Sequence, residues 1–347
     1  MALFSRARST VGLDIGSGFI KAVVINHGSG NPVLEKVALA RVADDAIVEG
    51  EVMDPILVAD AVRDLLATAD IRTKDVVVAV GGRDVIIKKI QMDRMTQAET
   101  RQQIRWEADK HVPFDPENVE LDFQILDPDA GGLQMEVLLV AAKRELVEGK
   151  LALLAEIGLG AKVIDVEAFA LHNAFEQNYP EAMRGVVALV NVGHETTIVN
   201  LLEDGVPVLT RDLAVGVRRL REDLHRERGM AVDAADRVVR GLDSDPALAR
   251  HVGTRGEEMA LGIERAAAFL QTASRPVGSL SRVYITGGGS RIPGLAELLA
   301  TRLRVPVTQA HPIERLDIAP DAFGGLTMDE VAPLLMLPVG LALRTVA

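Results

Sequence analysis

The sequence predicts an α/β protein built from two related lobes. The first observation is a strand–turn–strand motif at Val11–Lys21 that recurs in altered form at Val187–Ile198. The second is that β-branched runs, such as Asp75–Gly81, alternate along the chain with segments of helical periodicity, such as Pro55–Ala69. With 347 residues, the chain is long enough for two or three lobes that each bury a core.

The beginning of the chain reads as the α/β part of the first lobe. Two strands fill Val11–Ile25, and a third lies around Val33–Arg41. The helix Pro55–Ala69 and the β-branched strand Asp75–Gly81 follow. The continuous apolar pattern of this strand is typical of a strand that is covered on both faces. We assign residues 1–79 and 144–184 to this lobe.

A small α+β unit interrupts the first lobe over residues 80–143. Its first strand, Val85–Ile90, alternates with charge. The run Thr96-Gln97-Ala98-Glu99 is a capping box that opens a helix, and Pro113 ends that helix. The two remaining strands of the unit are Leu121–Leu126 and Met135–Ala141.

The rest of the chain returns to the α/β pattern. Residues 185–347 form the second lobe, with a smaller helical or α+β subdomain at about 218–265. A strand at Val283–Thr286 precedes a glycine cluster, and a closing helix begins near Thr327. The other predicted elements from residue 144 onward are the strand Lys162–Val166 and the helices Glu145–Leu159, Glu167–Asn178, Arg218–Arg228, Asp233–Arg240, Glu257–Thr272 and one after Pro293.

The composition excludes several classes of protein. A net charge of −12 argues against a general nucleic-acid binder, which needs a basic surface. The lack of cysteine excludes disulfides and thiolate metal sites, and it fits a reducing compartment. Since no run approaches the ~20 apolar residues that span a bilayer, and no secretory signal is visible, we expect a cytoplasmic protein.

The two recurring turns carry the first functional signal. Gly16-Ser17-Gly18 presents backbone N–H and hydroxyl donors to one point, a concavity suited to phosphate. Asp14 adds a metal-directing carboxylate, and Lys21 adds a cation. An ordinary hairpin turn uses the same small residues, but the recurrence at Gly193–Thr197 favours two turns that close on one nucleotide.

The third glycine cluster, Gly287-Gly288-Gly289 with Ser290, follows a strand and precedes a helix. It serves either close helix–strand packing or the close approach of a flat ligand such as adenosine. A dinucleotide-binding motif is a poor alternative because Ile292 stands where the last glycine belongs. The chain also contains no GxxxxGK[ST] sequence, which excludes a P-loop protein.

Three further features have two readings each. Glu167 follows a strand and either orients a water toward a terminal phosphate or caps the helix that it begins. Trp106, the sole tryptophan, either packs in a core or lines an exposed groove for a peptide. The mixed charges of Arg218–Arg228 are typical of a solvated helix face rather than a binding site.

Together these motifs resemble the actin-like ATPase superfamily, which implies two duplicated α/β lobes around a nucleotide cleft. The match consists of two phosphate motifs, a connecting segment and an adenosine motif, in the right order. The residues that the resemblance assigns to nucleotide binding are Asp14, Gly16, Ser17, Gly18, Lys21, Asn191, Gly193, His194, Glu195, Thr196, Thr197, Gly216, Gly287, Gly288, Gly289 and Ser290. It further implies ATP or ADP as cofactor, Mg²⁺ held by Asp14 through water, and Glu167 as the candidate catalytic residue.

The inserted unit, similar to the insertion of the cell-division protein FtsA, narrows the resemblance. The segments Ile104–Phe114 and Leu121–Gln124, with the end Val339–Arg344, resemble the PilM family of type IV pilus assembly proteins. This implies a scaffold that lies at the inner membrane through its partners and binds the cytoplasmic N-terminal tail of PilN. The candidate contacts are Arg105, Trp106, Lys110, Pro113 and Phe114.

The resemblance also implies indirect contact with a PilO-containing complex, proximity to the pilus motor ATPases and possible self-association. One departure concerns catalysis: the second phosphate motif usually begins with Asp, and here it begins with Asn191. An amide brings no charge and cannot act as a base, so we expect a nucleotide-holding scaffold with at most weak ATPase activity. The alternatives are a membrane-associated filament protein of the FtsA type and an active sugar kinase or phosphatase of the same superfamily.

Overall fold

The computed structural model describes residues 9–28, 30–128, 132–271 and 278–345. Its strands are β1 Ser9–Ile15, β2 Phe19–Asn26, β3 Val33–Arg41, β4 Ile47–Val48, β5 Glu51–Val52, β6 Asp75–Val80, β7 Val85–Asp93, β8 Val119–Asp127, β9 Gln134–Lys143, β10 Gly160–Val166, β11 Val186–Val192, β12 Thr197–Glu203, β13 Val206–Leu213, β14 Leu280–Thr286, β15 Val307–Gln309 and β16 Asp317–Ile318. Its α-helices are α1 Pro55–Thr68, α2 Gln97–His111, α3 Arg144–Ile157, α4 Glu167–Asn178, α5 Val217–Arg228, α6 Val232–Val239, α7 Pro246–Gln271, α8 Leu295–Leu303, α9 Met328–Val331 and α10 Met336–Ala342. Among the described residues, no helix is long and apolar enough to cross a membrane.

Two large sheets share one strand order. The first runs β10-β6-β1-β2-β3-β16 and the second β13-β12-β11-β14-β15. In each, an antiparallel three-stranded meander is extended by strands that pair in parallel. The registers of the two hairpins also correspond, since Asp14 pairs with Lys21 in the first and Asn191 with Ile198 in the second. The duplicated α/β architecture predicted from the sequence is therefore confirmed.

A third sheet, β7-β9-β8, carries helix α2 on one face. The helix begins with the predicted capping box: the Thr96 side chain accepts from the backbone N–H of Glu99, and the Glu99 carboxylate accepts from the Thr96 N–H. Its apolar residues Ile104 and Ala108 are buried against the sheet. Because this small unit has a core of its own, it presents the opposite face of α2 outward.

Helices α5 to α8 cover the second sheet. Their buried residues, such as Leu220, Val239, Ile263 and Leu299, form one apolar core with the strands β11, β12 and β14. Helix α7 begins at Pro246, well before the predicted start at Glu257. The predicted end of that helix, Thr272, lies outside the described residues.

The C-terminal segment packs on the first lobe. Strand β16 pairs with β3, and helix α10 lies against β1 and α4. The approach is so close that a Cβ added at Gly340 would lie 2.5 Å from the backbone carbon of Ala170. Residues up to 347 were predicted to belong to the second lobe, whereas buried residues between Ala310 and Ala342 contribute to the core of the first. The predicted closing helix is divided into α9 and α10, with Pro333 in the 3₁₀ turn between them and Pro338 in the first turn of α10, where proline is tolerated.

Candidate functional site

The two predicted phosphate turns face each other across the gap between the lobes. A Cβ added at Gly18 would lie 2.8 Å from the Cγ of His194, which is closer than real Cβ contacts allow. Each turn is closed by its own backbone hydrogen bond, from Gly16 N–H to the Phe19 carbonyl (3.2 Å) and from Gly193 N–H to the Thr196 carbonyl (2.9 Å). The two turns, one from each lobe, therefore meet where the His194 side chain lies against Gly18.

The first turn is lined by an ion pair. Asp14 is buried at the end of β1, and its carboxylate accepts a hydrogen bond from the Lys21 ammonium on β2. The pairing follows from the register, which sets the two residues directly opposite each other. The ammonium is held beside the turn, and the carboxylate is available to a metal only in competition with Lys21.

Glu167 lies next to this pair. It is the first residue of α4, and a Cβ added at Gly81 would lie 2.5 Å from the Glu167 carboxyl carbon. Because β10, β6 and β1 are neighbours and parallel, their carboxyl ends bring Val166, Gly81 and Asp14 to one edge of the sheet. Such an edge is the usual ligand position of an open α/β sheet.

Burial, together with the nearby carboxylates of Asp14 and Asp212, raises the pKa of Glu167 to about 7. The ammonium groups of Lys150 and Lys21 oppose this effect. Lys150 of α3 is a cation that the sequence analysis did not name. No motif marks it, because only the fold brings α3 beside the first turn. Burial lowers the pKa of Lys150, and the charges of Glu167 and Asp14 partly offset this.

In the second turn, His194 is held neutral. Burial, together with the charge of Arg221, lowers its pKa to about 4. The Nη2 of Arg221 lies 3.0 Å from the His194 Nε2, so the guanidinium donates and Nε2 accepts. The hydroxyl of Thr197 donates to the Val215 carbonyl at 2.6 Å, and this bond closes the base of the turn.

Glu195 of the same turn faces the first lobe. Its carboxylate accepts from the Glu49 N–H (2.7 Å) and from Nη1 of Arg218 (2.8 Å). These contacts hold the turn against its surroundings. The Glu195 carboxylate itself has no hydrogen to donate to a phosphate. Gly216 supports the turn from behind, since a Cβ there would lie 2.6 Å from the Glu195 carbonyl carbon.

The predicted adenosine turn packs on the end of β11. Gly287 has a left-handed φ of +83°, and a Cβ there would lie 2.6 Å from Oδ1 of Asn191. Ser290 is buried, with its hydroxyl donating to the Gly287 carbonyl (2.8 Å) and accepting from Gln309 (3.1 Å). Close packing thus accounts for Gly287, and it brings the third turn against the first residue of the second phosphate motif.

An arginine cluster lies between the second phosphate turn and the adenosine turn. It consists of Arg41, Arg221 and Arg240 around Asp236, at 3.2, 3.9 and 3.6 Å, together with Arg291, which directly follows the adenosine turn. Among the described side chains, the Nε atoms of Arg221, Arg240 and Arg291 are buried without a hydrogen-bond partner. No motif in the sequence marks these four residues. The prediction that Arg218–Arg228 is a solvated helix face is wrong for Arg221 of this cluster and for Arg218. Their guanidinium groups donate to His194 and Glu195 of the second phosphate turn.

The predicted partner residues lie on the inserted unit. Trp106 is 78% exposed on α2, which excludes the core reading. Arg105, Lys110 and Pro113 are exposed around the same helix. Phe114 instead packs partly against the core of the unit, with the Lys143 ammonium 5.3 Å from its ring centre.

Almost the whole chain resembles known proteins of one family. The family model described as "Type IV pilus assembly protein PilM" matches residues 12–346. A solved structure described as "PilM-PilN type IV pilus biogenesis complex" is 30% identical and superimposes with a TM-score of 0.82, covering 96% of this chain and 98% of that chain. The ethanolamine utilization protein EutJ from Carboxydothermus hydrogenoformans is 19% identical with a TM-score of 0.56, covering 96% of this chain and 89% of that chain, a likeness of fold alone.

Proposed function

This chain belongs to the type IV pilus assembly protein PilM family and has the actin-like ATPase fold, and we propose that it is an ATP-binding scaffold of the pilus assembly platform. In this role the protein sits on the cytoplasmic side of the inner membrane and binds the N-terminal tail of PilN. Through PilN it joins a PilO-containing complex near the motor ATPases.

The proposal that the protein binds a nucleotide depends on one observation. The two turns face each other, with Gly18 against His194. A triphosphate between the turns would meet backbone amides from both lobes and the ammonium of Lys21. This suits a chain whose net charge of −12 gives an anion no general attraction. The arginine cluster adds local positive charge on the side of the second lobe.

The residues present fit Mg²⁺ bound together with the phosphates. Mg²⁺ prefers oxygen ligands and keeps several waters, so it needs only one or two protein carboxylates. Asp14 would hold it through water, and the amide oxygen of Asn191 would accept a hydrogen bond from such a water. The ion would supply charge neutralisation for the phosphates.

One side chain supports a scaffold over an efficient enzyme. Asn191 cannot accept a proton at the position where the superfamily usually has Asp. Glu167, the remaining candidate base, has its pKa raised to about 7, a range that suits a general base, so the case for a scaffold rests on Asn191 alone. We infer nucleotide binding with slow turnover.

The exposed face of α2 supports the partner assignment. Trp106 is a large apolar side chain on the surface of a unit that already has a complete core. Aromatic and arginine residues dominate the binding energy of protein interfaces, and Arg105 stands beside Trp106. We therefore place the PilN tail along α2 and the adjoining residues up to Phe114.

Two measurements test the proposal. The melting temperature of the purified protein should rise with Mg·ATP, because a ligand of the native state stabilises it by RT ln(1 + [L]/Kd). A synthetic peptide of the PilN N-terminus should bind the protein, whereas a scrambled peptide of equal composition should not. An unchanged melting temperature at millimolar Mg·ATP would contradict nucleotide binding. Equal binding of both peptides would contradict the partner assignment.

A further inference from the structure

One segment of the first lobe, residues 41–49, reaches across the cleft to the second lobe. The Glu49 N–H donates to the Glu195 carboxylate at 2.7 Å. The carboxylate of Asp45 accepts from Arg218 at 2.8 Å, and Arg41 pairs with Asp236 at 3.2 Å. Three separate contacts therefore join this short segment to the second phosphate turn and to helices α5 and α6.

The backbone of this segment is strained where it makes these contacts. Asp45 and Glu49 have φ angles of +62° and +49°, in the left-handed region that side chains other than glycine rarely adopt. The described non-glycine residues in that region are Asp45, Glu49, Asp70, Asp204 and Arg304. Glu49 and Gly50, whose φ is +86°, are the two central residues of the β4–β5 hairpin, and a two-residue turn of this kind requires positive φ at both positions.

Arg218 is the centre of the contact. Its guanidinium donates to Asp45 of the first lobe, to Glu195 of the phosphate turn (2.8 Å) and to Glu222 of its own helix (2.9 Å). A guanidinium reaches three carboxylates because its donors form a rigid planar fork, which an ammonium lacks. The Glu195 carboxylate is nearly enclosed, with 11% of its side chain exposed, whereas 31% of the Arg218 side chain is exposed, so only the carboxylate end of the pair is shielded from solvent.

We propose that Asp45, Glu49, Glu195 and Arg218 form an interlobe latch that positions the second phosphate turn and couples nucleotide binding to closure of the cleft. The coupling rests on the proposed nucleotide function. The turn that holds phosphate through Gly193–Thr197 is the same turn that Glu195 fastens to the first lobe. Nucleotide bound between the lobes favours the closed arrangement, and the latch favours it too, so each strengthens the other.

The absence of cysteine makes the latch directly measurable. Cysteines introduced at the exposed positions Glu51 and Asp233 carry spin labels on opposite sides of the cleft mouth. Arg218→Met should lengthen and broaden the distance between the labels with and without Mg·ATP, and it should weaken ATP binding about five- to tenfold. Glu222→Gln is the matched control, because it removes a contact of Arg218 that does not cross the cleft.

Two further variants separate the latch from a general loss of stability. Arg218→Lys should not restore the short distance, because one ammonium cannot reach both Asp45 and Glu195. Glu49→Gly keeps the donating N–H and relieves the backbone strain, so it should leave ATP binding as tight as before or up to about threefold tighter. Weaker ATP binding by Glu49→Gly would contradict this account.

The outcomes for the latch and for the proposed function differ. If the unaltered protein binds Mg·ATP and Arg218→Met behaves like Glu222→Gln in both distance and affinity, the latch is wrong and the nucleotide function stands. If the unaltered protein does not bind Mg·ATP, the proposed nucleotide function is wrong, and the proposed coupling between nucleotide binding and cleft closure is wrong as well. An increased distance together with weakened binding in Arg218→Met alone supports both.

Discussion

The imidazole of His194 packs directly against the backbone of Gly18, at the point where the two hairpin turns meet. The two residues belong to different lobes and to turns of the same architecture. His194 is in turn fixed by Arg221, whose guanidinium donates to its Nε2. The cleft therefore has no freedom at this point to accept a larger residue in the first turn.

Gly18→Ala should separate the turns. Its Cβ would overlap the His194 ring, so we expect a loss of about 1–3 kcal/mol in the free energy of unfolding without nucleotide. Gly16→Ala is the control in the same turn, because its Cβ would lie 3.4 Å from the Phe19 carbonyl oxygen, an ordinary van der Waals contact. Chemical denaturation measures both variants, and equal stability of the two would contradict the packing described.

Glu167→Gln should change how stability depends on pH. The folded-state pKa of Glu167 is raised from 4.5 to about 7, so the folded protein binds this proton more tightly than the unfolded chain. Its contribution to stability is therefore lost as the pH rises from about 4.5 to about 7. The Gln variant lacks this loss and should gain stability relative to the parent protein at pH 8, but not at pH 4.5. Melting temperatures across this range would show it.

His194→Asn should have the opposite effect. Burial and Arg221 lower the folded-state pKa of His194 from 6.5 to about 4, so the unfolded chain binds this proton more tightly. Stability from this group is lost as the pH falls from about 6.5 to about 4. The Asn variant should therefore lose less stability than the parent protein on acidification. A steeper loss would show that His194 is charged in the folded state.

Gly340→Ala should strongly destabilise the first lobe. The added Cβ would enter the backbone of Ala170, and neither helix can move without disturbing the sheet, so we expect a loss of about 3 kcal/mol or more. Gly253→Ala, in the long helix α7, is the matched control. A Cβ there meets no atom within 4 Å, and the change should stabilise the protein by about 0.5–1 kcal/mol through helix propensity.

Trp106→Ala should weaken binding of the PilN tail by at least about 2 kcal/mol, roughly a thirtyfold change in Kd, if the ring is an interface anchor. Leu133→Ala removes another exposed apolar side chain of the inserted unit and should have little effect. Because Trp106 is the sole tryptophan, its fluorescence should shift to shorter wavelength when the peptide covers it. Binding without a spectral change would place the peptide elsewhere.

Local signals in the sequence predicted much of the fold. Helix α4 was predicted with both of its limits, and the capping box at Thr96 and Glu99 was confirmed. The first hairpin was predicted from alternating apolar strands around a glycine turn. Each of these features depends on residues close together in the chain, which is why a sequence pattern is enough to find them.

Contacts between distant segments could not be predicted in this way. The charges of α5 repeat like those of an exposed helix, yet Arg218 and Arg221 face the phosphate turn because the second sheet orients that helix. Strand β16 has only two residues and no pattern of its own, so its pairing with β3 arises from the fold alone. The hydroxyl of Thr197 was expected at a phosphate, whereas its acceptor is the carbonyl of Val215.

Helix α10 has a consequence for biosynthesis. It fills the back of the first sheet, where a Cβ at Gly12 would lie 2.6 Å from the backbone nitrogen of Ala342. A nascent chain completes β1 at Ile15 and supplies the helix that covers it only from Met336 onward. The apolar faces of β1 and α4 therefore remain open on the ribosome while the intervening residues are made, and they are available to chaperones until the final turn of helix docks.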